Sequence, residues 1–75
     1  MKRPVPVEAL VLGLVREKGD IWFNDLLQAL KAWYPDITEK EVLRALMRLE
    51  LSRLIIVQKV VKKESVNYHI RAIKE

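Results

Sequence analysis

The stretch ITEKEVLRALMRLE, residues 37–50, decides the fold of this chain. Thr38 and Glu41 have the spacing of a capping box, in which each side chain satisfies a backbone N–H near the other residue. The apolar residues that follow recur at helical intervals, which predicts a helix with one face in a core. Four residues form that core-facing stripe: Val42, Ala45, Leu46 and Leu49. We expect the helix to end near Ser52.

After this helix the apolar pattern changes to one typical of β-strands. Segments 54–61 and 66–73 are rich in Ile and Val or alternate between apolar and polar residues. The polar run Lys-Lys-Glu-Ser, residues 62–65, lies between them, so we predict a β-hairpin with a polar tip. The tip lacks Asn-Gly and Asp-Gly, which leaves its turn type and register open.

Residues before the decisive stretch predict a first helix. Pro4 and Pro6 suit a helix start, where a missing N–H costs little. Apolar residues follow helical spacing from Val7, and Gly19 lies just beyond the expected last turn. Gly13, inside this helix, costs about 1 kcal/mol relative to alanine. A close helix–helix approach at Gly13 would explain that cost.

A second helix is predicted between the first helix and the helix of residues 37–50. Segment 21–23, Ile-Trp-Phe, is short and apolar and predicts a brief strand, after which Asn24 is the expected cap. The helix should end before Pro35, because a residue preceding proline avoids the α region. Four aromatic residues cluster around it: Trp22, Phe23, Trp33 and Tyr34. Packing in a core or a dimer is the favoured interpretation of this cluster, and stacking on unpaired bases is the alternative.

The length and composition of the chain exclude several classes of protein. The 75 residues predict one domain, residues 1–75, and the 51% hydrophobic content indicates a packed core. The sequence contains no cysteine, which excludes a disulfide or a thiolate metal site. No apolar run reaches the roughly 18 residues of a membrane span, and the first residues lack a signal-peptide pattern. We therefore expect a cytoplasmic protein without a membrane partner.

Positive charge is concentrated in the second half of the chain, whose overall formal charge is +4. Residues 1–39 carry five basic and six acidic side chains, for a net charge of −1. Residues 40–75 carry nine basic and four acidic side chains, for a net charge of +5. This asymmetry favours a polyanionic partner for one face of the protein. The alternative is a solvated surface with chance clustering.

The order helix, strand, helix, helix and hairpin, with residues 37–50 leading into Leu54-Ile55, resembles the winged helix-turn-helix family, and small archaeal transcription regulators in particular. The resemblance implies an α+β fold: a three-helix bundle, a short strand between helices 1 and 2, and a C-terminal β-hairpin wing. It also implies a transcription regulator or a chromatin-type architectural protein, associated with the nucleoid. The chain departs from the family at Arg53, where many members carry glycine.

By analogy with the family, helix 3 would enter the major groove of double-stranded DNA. Arg44 and Arg48 would reach bases or phosphates, since arginine can donate two hydrogen bonds to guanine. Thr38 and Lys40 lie at the helix start, where backbone N–H groups favour phosphate. Three lysines of the hairpin would contact the neighbouring backbone: Lys59, Lys62 and Lys63. The alternatives are a salt-bridged helix surface, with Glu41 near Arg44, and solubilising charge at an exposed turn.

A second row on helix 3 favours a different kind of partner. Three apolar residues recur at i, i+4 and i+8: Leu43, Met47 and Leu51. They belong to a wide core if helix 1 and the hairpin cover them. Otherwise they form an interface, and the alternative function is homodimerisation or protein contact within a larger nucleic-acid-processing assembly.

The sequence shows no sign of catalysis. His69 is the only histidine, in an apparent strand of a chain without cysteine, which argues against a metal site or a nucleophilic dyad. Neither a phosphate-binding loop nor a dinucleotide fingerprint occurs. We predict that the protein is not an enzyme and uses no cofactor or small-molecule substrate.

Overall fold

Three helices and a three-stranded antiparallel sheet make up the computed structural model, which describes residues 6–73. The elements are α1 Val7–Lys18, β1 Asp20–Trp22, α2 Phe23–Trp33, α3 Glu39–Leu51, β2 Ile55–Lys62 and β3 Ser65–Ala72. The strand order is β1-β3-β2, so β3 is central and β1 and β2 lie at the edges. The predicted α+β class and element order are confirmed. Pro4 lies outside the described residues.

The core lies between the helices and one face of the sheet. Every helix contributes fully buried aliphatic side chains, and so do β2 and β3. The largest of these are Val11, Val15, Leu26, Leu30, Val42, Leu46, Ile55 and Ile70. Burying such a side chain contributes about 1.5–3 kcal/mol, and the predicted core stripe of α3 is confirmed as part of this cluster.

Local signals fix the ends of α1 and α3. The Oγ1 of Thr38 accepts a hydrogen bond from the backbone N–H of Glu41 at 3.2 Å, which is the first half of the predicted capping box. Gly19 ends α1 with φ of 82°, and its N–H donates to the carbonyl of Val15 at 2.8 Å. Only glycine adopts this conformation without a steric cost, so the predicted helix stop is confirmed.

Arg53 takes the left-handed conformation usually assigned to glycine, with φ of 61°. Its N–H donates to the carbonyl of Glu50, and the N–H of Leu54 donates to the carbonyl of Leu49, both at 3.0 Å. These two bonds form a Schellman motif, which satisfies carbonyls at the end of α3. The left-handed exit is therefore retained without the glycine, at a steric cost.

The hairpin register, which the sequence left open, is set by a two-residue turn. Lys62 pairs with Ser65, leaving Lys63 and Glu64 at the tip. Lys63 is left-handed, with φ of 47°, as such tight turns require at their first central residue. The hydroxyl of Ser65 donates to the carbonyl of Lys62 at 3.0 Å and closes the turn.

Two expectations about local structure are wrong. No heavy atom lies within 4 Å of the position that a Cβ at Gly13 would occupy, so no neighbouring helix approaches there. Asn24 does not cap α2, because β1 extends to Trp22 and the helix begins directly at Phe23. Phe23 is buried, and Trp22 pairs with His69, so sheet pairing and core packing set this helix start.

Candidate nucleic-acid interface

All seven residues predicted to contact DNA are exposed. Four belong to α3 and its cap: Thr38, Lys40, Arg44 and Arg48. Three belong to the hairpin: Lys59, Lys62 and Lys63. The structure thus presents every predicted cation to solvent, on the two elements to which the sequence assigned them.

The outward surface of α3 has a cationic half and an apolar half. At roughly 100° per residue, Lys40, Arg44, Met47 and Leu51 all lie opposite the buried stripe. Lys40 and Arg44 occupy the capped N-terminal half, whereas Met47 and Leu51 occupy the C-terminal half. One outward face of α3 is therefore cationic at Lys40 and Arg44 and apolar at Met47 and Leu51, with Leu43 and Arg48 on its flanks.

The apolar row of α3 is exposed, so neither α1 nor the hairpin covers it. The exposed fractions are 37% for Leu43, 61% for Met47 and 77% for Leu51. Exposure increases toward the helix end, because Leu43 lies at the flank of the core stripe while Leu51 faces away from it. A partner would bury the most apolar surface near Leu51.

Arg48 differs from the other cations of α3 because it has a partner on α1. Its Nη1 donates to the Oε1 of Glu8 at 2.8 Å. Sequence reasoning missed this pair, since 40 residues separate the two and no local spacing signals it. Exposed ion pairs contribute only about 0–1 kcal/mol, so a phosphate can displace Glu8, but the carboxylate remains a nearby negative charge.

Arg44 and Arg48 line a shallow groove between α1 and α3. Glu8 and Glu41 lie along the same groove. Two carboxylates thus lower the positive potential on this side of α3. Lys40 does not line this groove, but Glu39 and Glu41 lie directly before and after it in the first turn of α3.

The hairpin lysines surround the strand tip and do not form a single row. Successive side chains of a strand point to opposite faces, so Lys59 shares the face of the buried Ile55 while Lys62 lies on the other face. Lys59 is paired with Tyr68, whose ring contacts that of Phe23 with centroids 5.9 Å apart. Lys63 is in the turn itself.

The sheet also assembles a cluster that sequence reasoning did not find. The rings of Trp22 and His69 lie 4.8 Å apart, and the Nε2 of His69 is 2.9 Å from the Oδ2 of Asp20. A carboxylate only accepts hydrogen bonds, so Nε2 carries the hydrogen. Pairing of β1 with β3 brings these residues together across 49 positions, and the lone histidine gave no local signal.

Within residues 6–73, no group of three or more His, Asp or Glu side chains could hold a metal ion. None of the three described helices is long and apolar enough to cross a bilayer. Comparison with protein-family models, curated proteins and solved structures gives no match for this chain.

Proposed function

We propose that this chain is a winged-helix DNA-binding domain, acting as a transcription regulator or a chromatin-type architectural protein. In this proposal α3 enters the major groove and the β2–β3 hairpin lies along the adjacent phosphate backbone. The observation that carries it is the outward N-terminal half of α3, where Lys40 and Arg44 are exposed beside the Thr38 cap. The helix order and the β1-β3-β2 sheet are compatible with this fold.

The backbone and two side chains at the N-terminal end of α3 favour phosphate, although the first turn also carries Glu39 and Glu41. The backbone N–H groups of a helix start carry partial positive charge, which attracts phosphate. Lys40 adds a point charge there, and Arg44 one turn later can bind a guanine edge with two donors. Arg48 contributes only after releasing Glu8, so we rank it behind the other two.

The hairpin supplies contacts of a second kind. Lysine ammonium groups act as point charges on phosphates and carry little sequence information. Lys62 and Lys63 are next to each other at the tip, so both can reach phosphates of the same backbone. These contacts position the domain, whereas base reading is left to α3.

The test is the salt dependence of duplex affinity. The double variant Lys40→Gln/Arg44→Gln should bind more weakly, and its slope of log affinity against log salt should flatten by about 0.9 for each phosphate that is no longer neutralised. Lys31→Gln is the matched control, because Lys31 is also an exposed cation, in the last turn of α2. Equal slopes in the double variant and this control would overturn the role of α3. Lack of duplex binding at low salt, with about 10–100 μM protein, would overturn the whole proposal.

A second candidate function is protein contact through the C-terminal half of α3, including homodimerisation. The exposure of Met47 and Leu51 favours it, since a contiguous apolar surface of this kind is typical of interfaces. Sedimentation equilibrium of the wild type, Leu51→Glu and Trp33→Glu tests self-association. A dimer abolished by Leu51→Glu alone supports it. A monomeric wild type refutes self-association. Equal loss of the dimer in Trp33→Glu also refutes it, because Trp33 is an exposed apolar residue on a different helix, α2.

A further inference from the structure

The face of the sheet that points away from the helices, here called the outer sheet face, combines aromatic, cationic and amide side chains. Its residues follow from the register and from strand alternation. Starting at the hairpin tip, the paired rows are Lys62 with Ser65, Val60 with Asn67, Gln58 with His69 and Trp22, and Ile56 with Arg71 and Asp20. Every one of these side chains is exposed or half-buried. No described element covers them.

Trp22 is the largest ring of this face and lies on the edge strand β1. It is 39% exposed, although residues of its type are usually buried to a greater extent. The His69 ring packs against the indole with the ring centroids 4.8 Å apart. The Nε2 of His69 is hydrogen-bonded to Asp20, which fixes the orientation of that ring. The indole is thus held in place while part of its surface remains open to a ligand.

A depression of about 310 Å³ adjoins Trp22 on the side of the hairpin tip. Its lining comprises Trp22, Val60, Lys62, Ser65 and Asn67. One apolar wall, one ring, an amide and an ammonium group are the components that a nucleotide requires. The Oδ1 of Asn67 already accepts from the N–H of Tyr68 at 2.8 Å, which orients the amide nitrogen for donation to a ligand.

Two cations bound the outer sheet face along the strand direction. Arg71 lies six positions beyond Ser65, the partner of Lys62, so the backbone positions of the two cations are about 20 Å apart along the strands at roughly 3.3 Å per residue. That spacing accommodates a short run of nucleotides rather than a single one. Asp20, the one acid in the paired rows, is bonded to His69.

We infer that the outer sheet face binds single-stranded nucleic acid, with a base stacked on Trp22 and the backbone between Lys62 and Arg71. This goes beyond the proposed duplex binding, because the helices lie against the opposite face of the sheet; the two sites share only Lys62 at the hairpin tip. A protein partner would also use Ile56 and Val60, but an exposed ring between two cations is the combination typical of single-stranded nucleic-acid sites. Stacking on a ring tolerates any base, so we expect little sequence preference.

The experiment uses Trp22 as its own reporter. In the Trp33→Phe variant Trp22 is the only tryptophan, and titration with a ten-nucleotide oligothymidylate should quench its fluorescence. Separately, anisotropy of the labelled oligonucleotide should show Trp22→Leu weakening binding by roughly 5- to 150-fold, the effect of removing one stacked base. Trp33→Leu is the matched control and should bind like the wild type.

Further variants separate this site from the duplex site and guard against misfolding. Trp22→Phe keeps a ring and should retain most of the affinity, with circular dichroism confirming the fold of each variant. Arg71→Gln should flatten the salt slope by about 0.7 for the oligonucleotide. Duplex affinity should be unchanged in Trp22→Leu, and oligonucleotide affinity unchanged in Lys40→Gln/Arg44→Gln. Duplex binding by α3 and single-strand binding by the outer sheet face can therefore be refuted independently of each other.

Three results would overturn the inference. The first is absence of quenching at low salt, and the second is equal oligonucleotide affinity in Trp22→Leu and Trp33→Leu. The third is a change in sedimentation of Trp22→Leu without any change in oligonucleotide binding, which would make the outer sheet face a protein contact.

Discussion

The guanidinium of Arg48 on α3 and the carboxylate of Glu8 on α1 form a hydrogen-bonded ion pair at 2.8 Å. The pair joins the last turn of one helix to the first turn of another. It also places a negative charge beside the proposed DNA-contacting helix. Removing that charge should therefore affect DNA binding and stability in opposite directions.

Glu8→Gln should strengthen duplex binding at low salt by up to about fivefold, because the Glu8 carboxylate no longer competes with phosphates for Arg48. The gain should shrink as salt increases and screens exposed charges. Fluorescence anisotropy over a salt series measures it. Glu17→Gln is the control, an exposed acid at the other end of α1, and an equal gain in this control would mean that only net charge matters.

The same pair should contribute little to folding. Glu8→Gln and Arg48→Gln, combined in a double-mutant cycle of urea unfolding, should give a coupling free energy below about 1 kcal/mol. A coupling free energy of several kcal/mol would show that the ion pair is a major stabilising contact and that Arg48 is not available to bind DNA.

The two glycines should respond to alanine in opposite ways. Gly13 is exposed inside α1 with open space around its Cβ position, so Gly13→Ala should raise the free energy of unfolding by about 1 kcal/mol. Gly19 has φ of 82°, so Gly19→Ala should lower it by about 1 kcal/mol. Thermal unfolding of both variants is the measurement. A shift of the same sign in both would contradict the assigned backbone conformations.

Arg53 should stabilise the fold less than glycine would. At φ of 61° an L-residue is strained, and glycine is not. Arg53→Gly and Arg53→Ala both delete the side chain, but only the first relieves the strain. We expect the glycine variant to exceed the alanine variant by about 1 kcal/mol in the free energy of unfolding. Equal stabilities would show that the Schellman motif tolerates a Cβ at this position.

The Thr38 cap should matter for stability independently of DNA. Thr38→Ala removes the acceptor for the Glu41 N–H and should cost about 1 kcal/mol. In a domain of this size that lowers the melting temperature by about 4–8 °C. Thr38→Ser retains the hydroxyl and should melt near the wild type. If serine were as damaging as alanine, the methyl group and not the hydrogen bond would be responsible.

Periodicity and caps predicted most of the fold. Residues 37–50 carried helix spacing and a cap in one stretch, and Gly19 marked a helix end, so α1 and α3 followed from local sequence. The start of α2 did not, because the pairing of Trp22 with His69 overrode the local preference of Asn24 for a cap. The hairpin register also depended on tertiary structure, since no turn motif specified it.

The candidate site was predictable only in part. Exposed cations on α3 and the hairpin follow from amphipathic patterning, which separates inward from outward positions. The Glu8 partner of Arg48 and the cluster at Trp22 could not be predicted, because each joins segments far apart in the chain. The alternation of apolar and polar residues within each strand did not indicate which aromatic ring would remain exposed to solvent.

β2 is a long edge strand, paired on one side with β3 and, within residues 6–73, with no strand on the other. Its sequence IIVQKVVK is rich in β-branched residues, and such an edge is a template for adding strands from other molecules. Lys59 and Lys62 interrupt that run and repel a second copy, as gatekeeper residues do. Neutralising these lysines would therefore promote fibrillar self-assembly, whatever the domain binds.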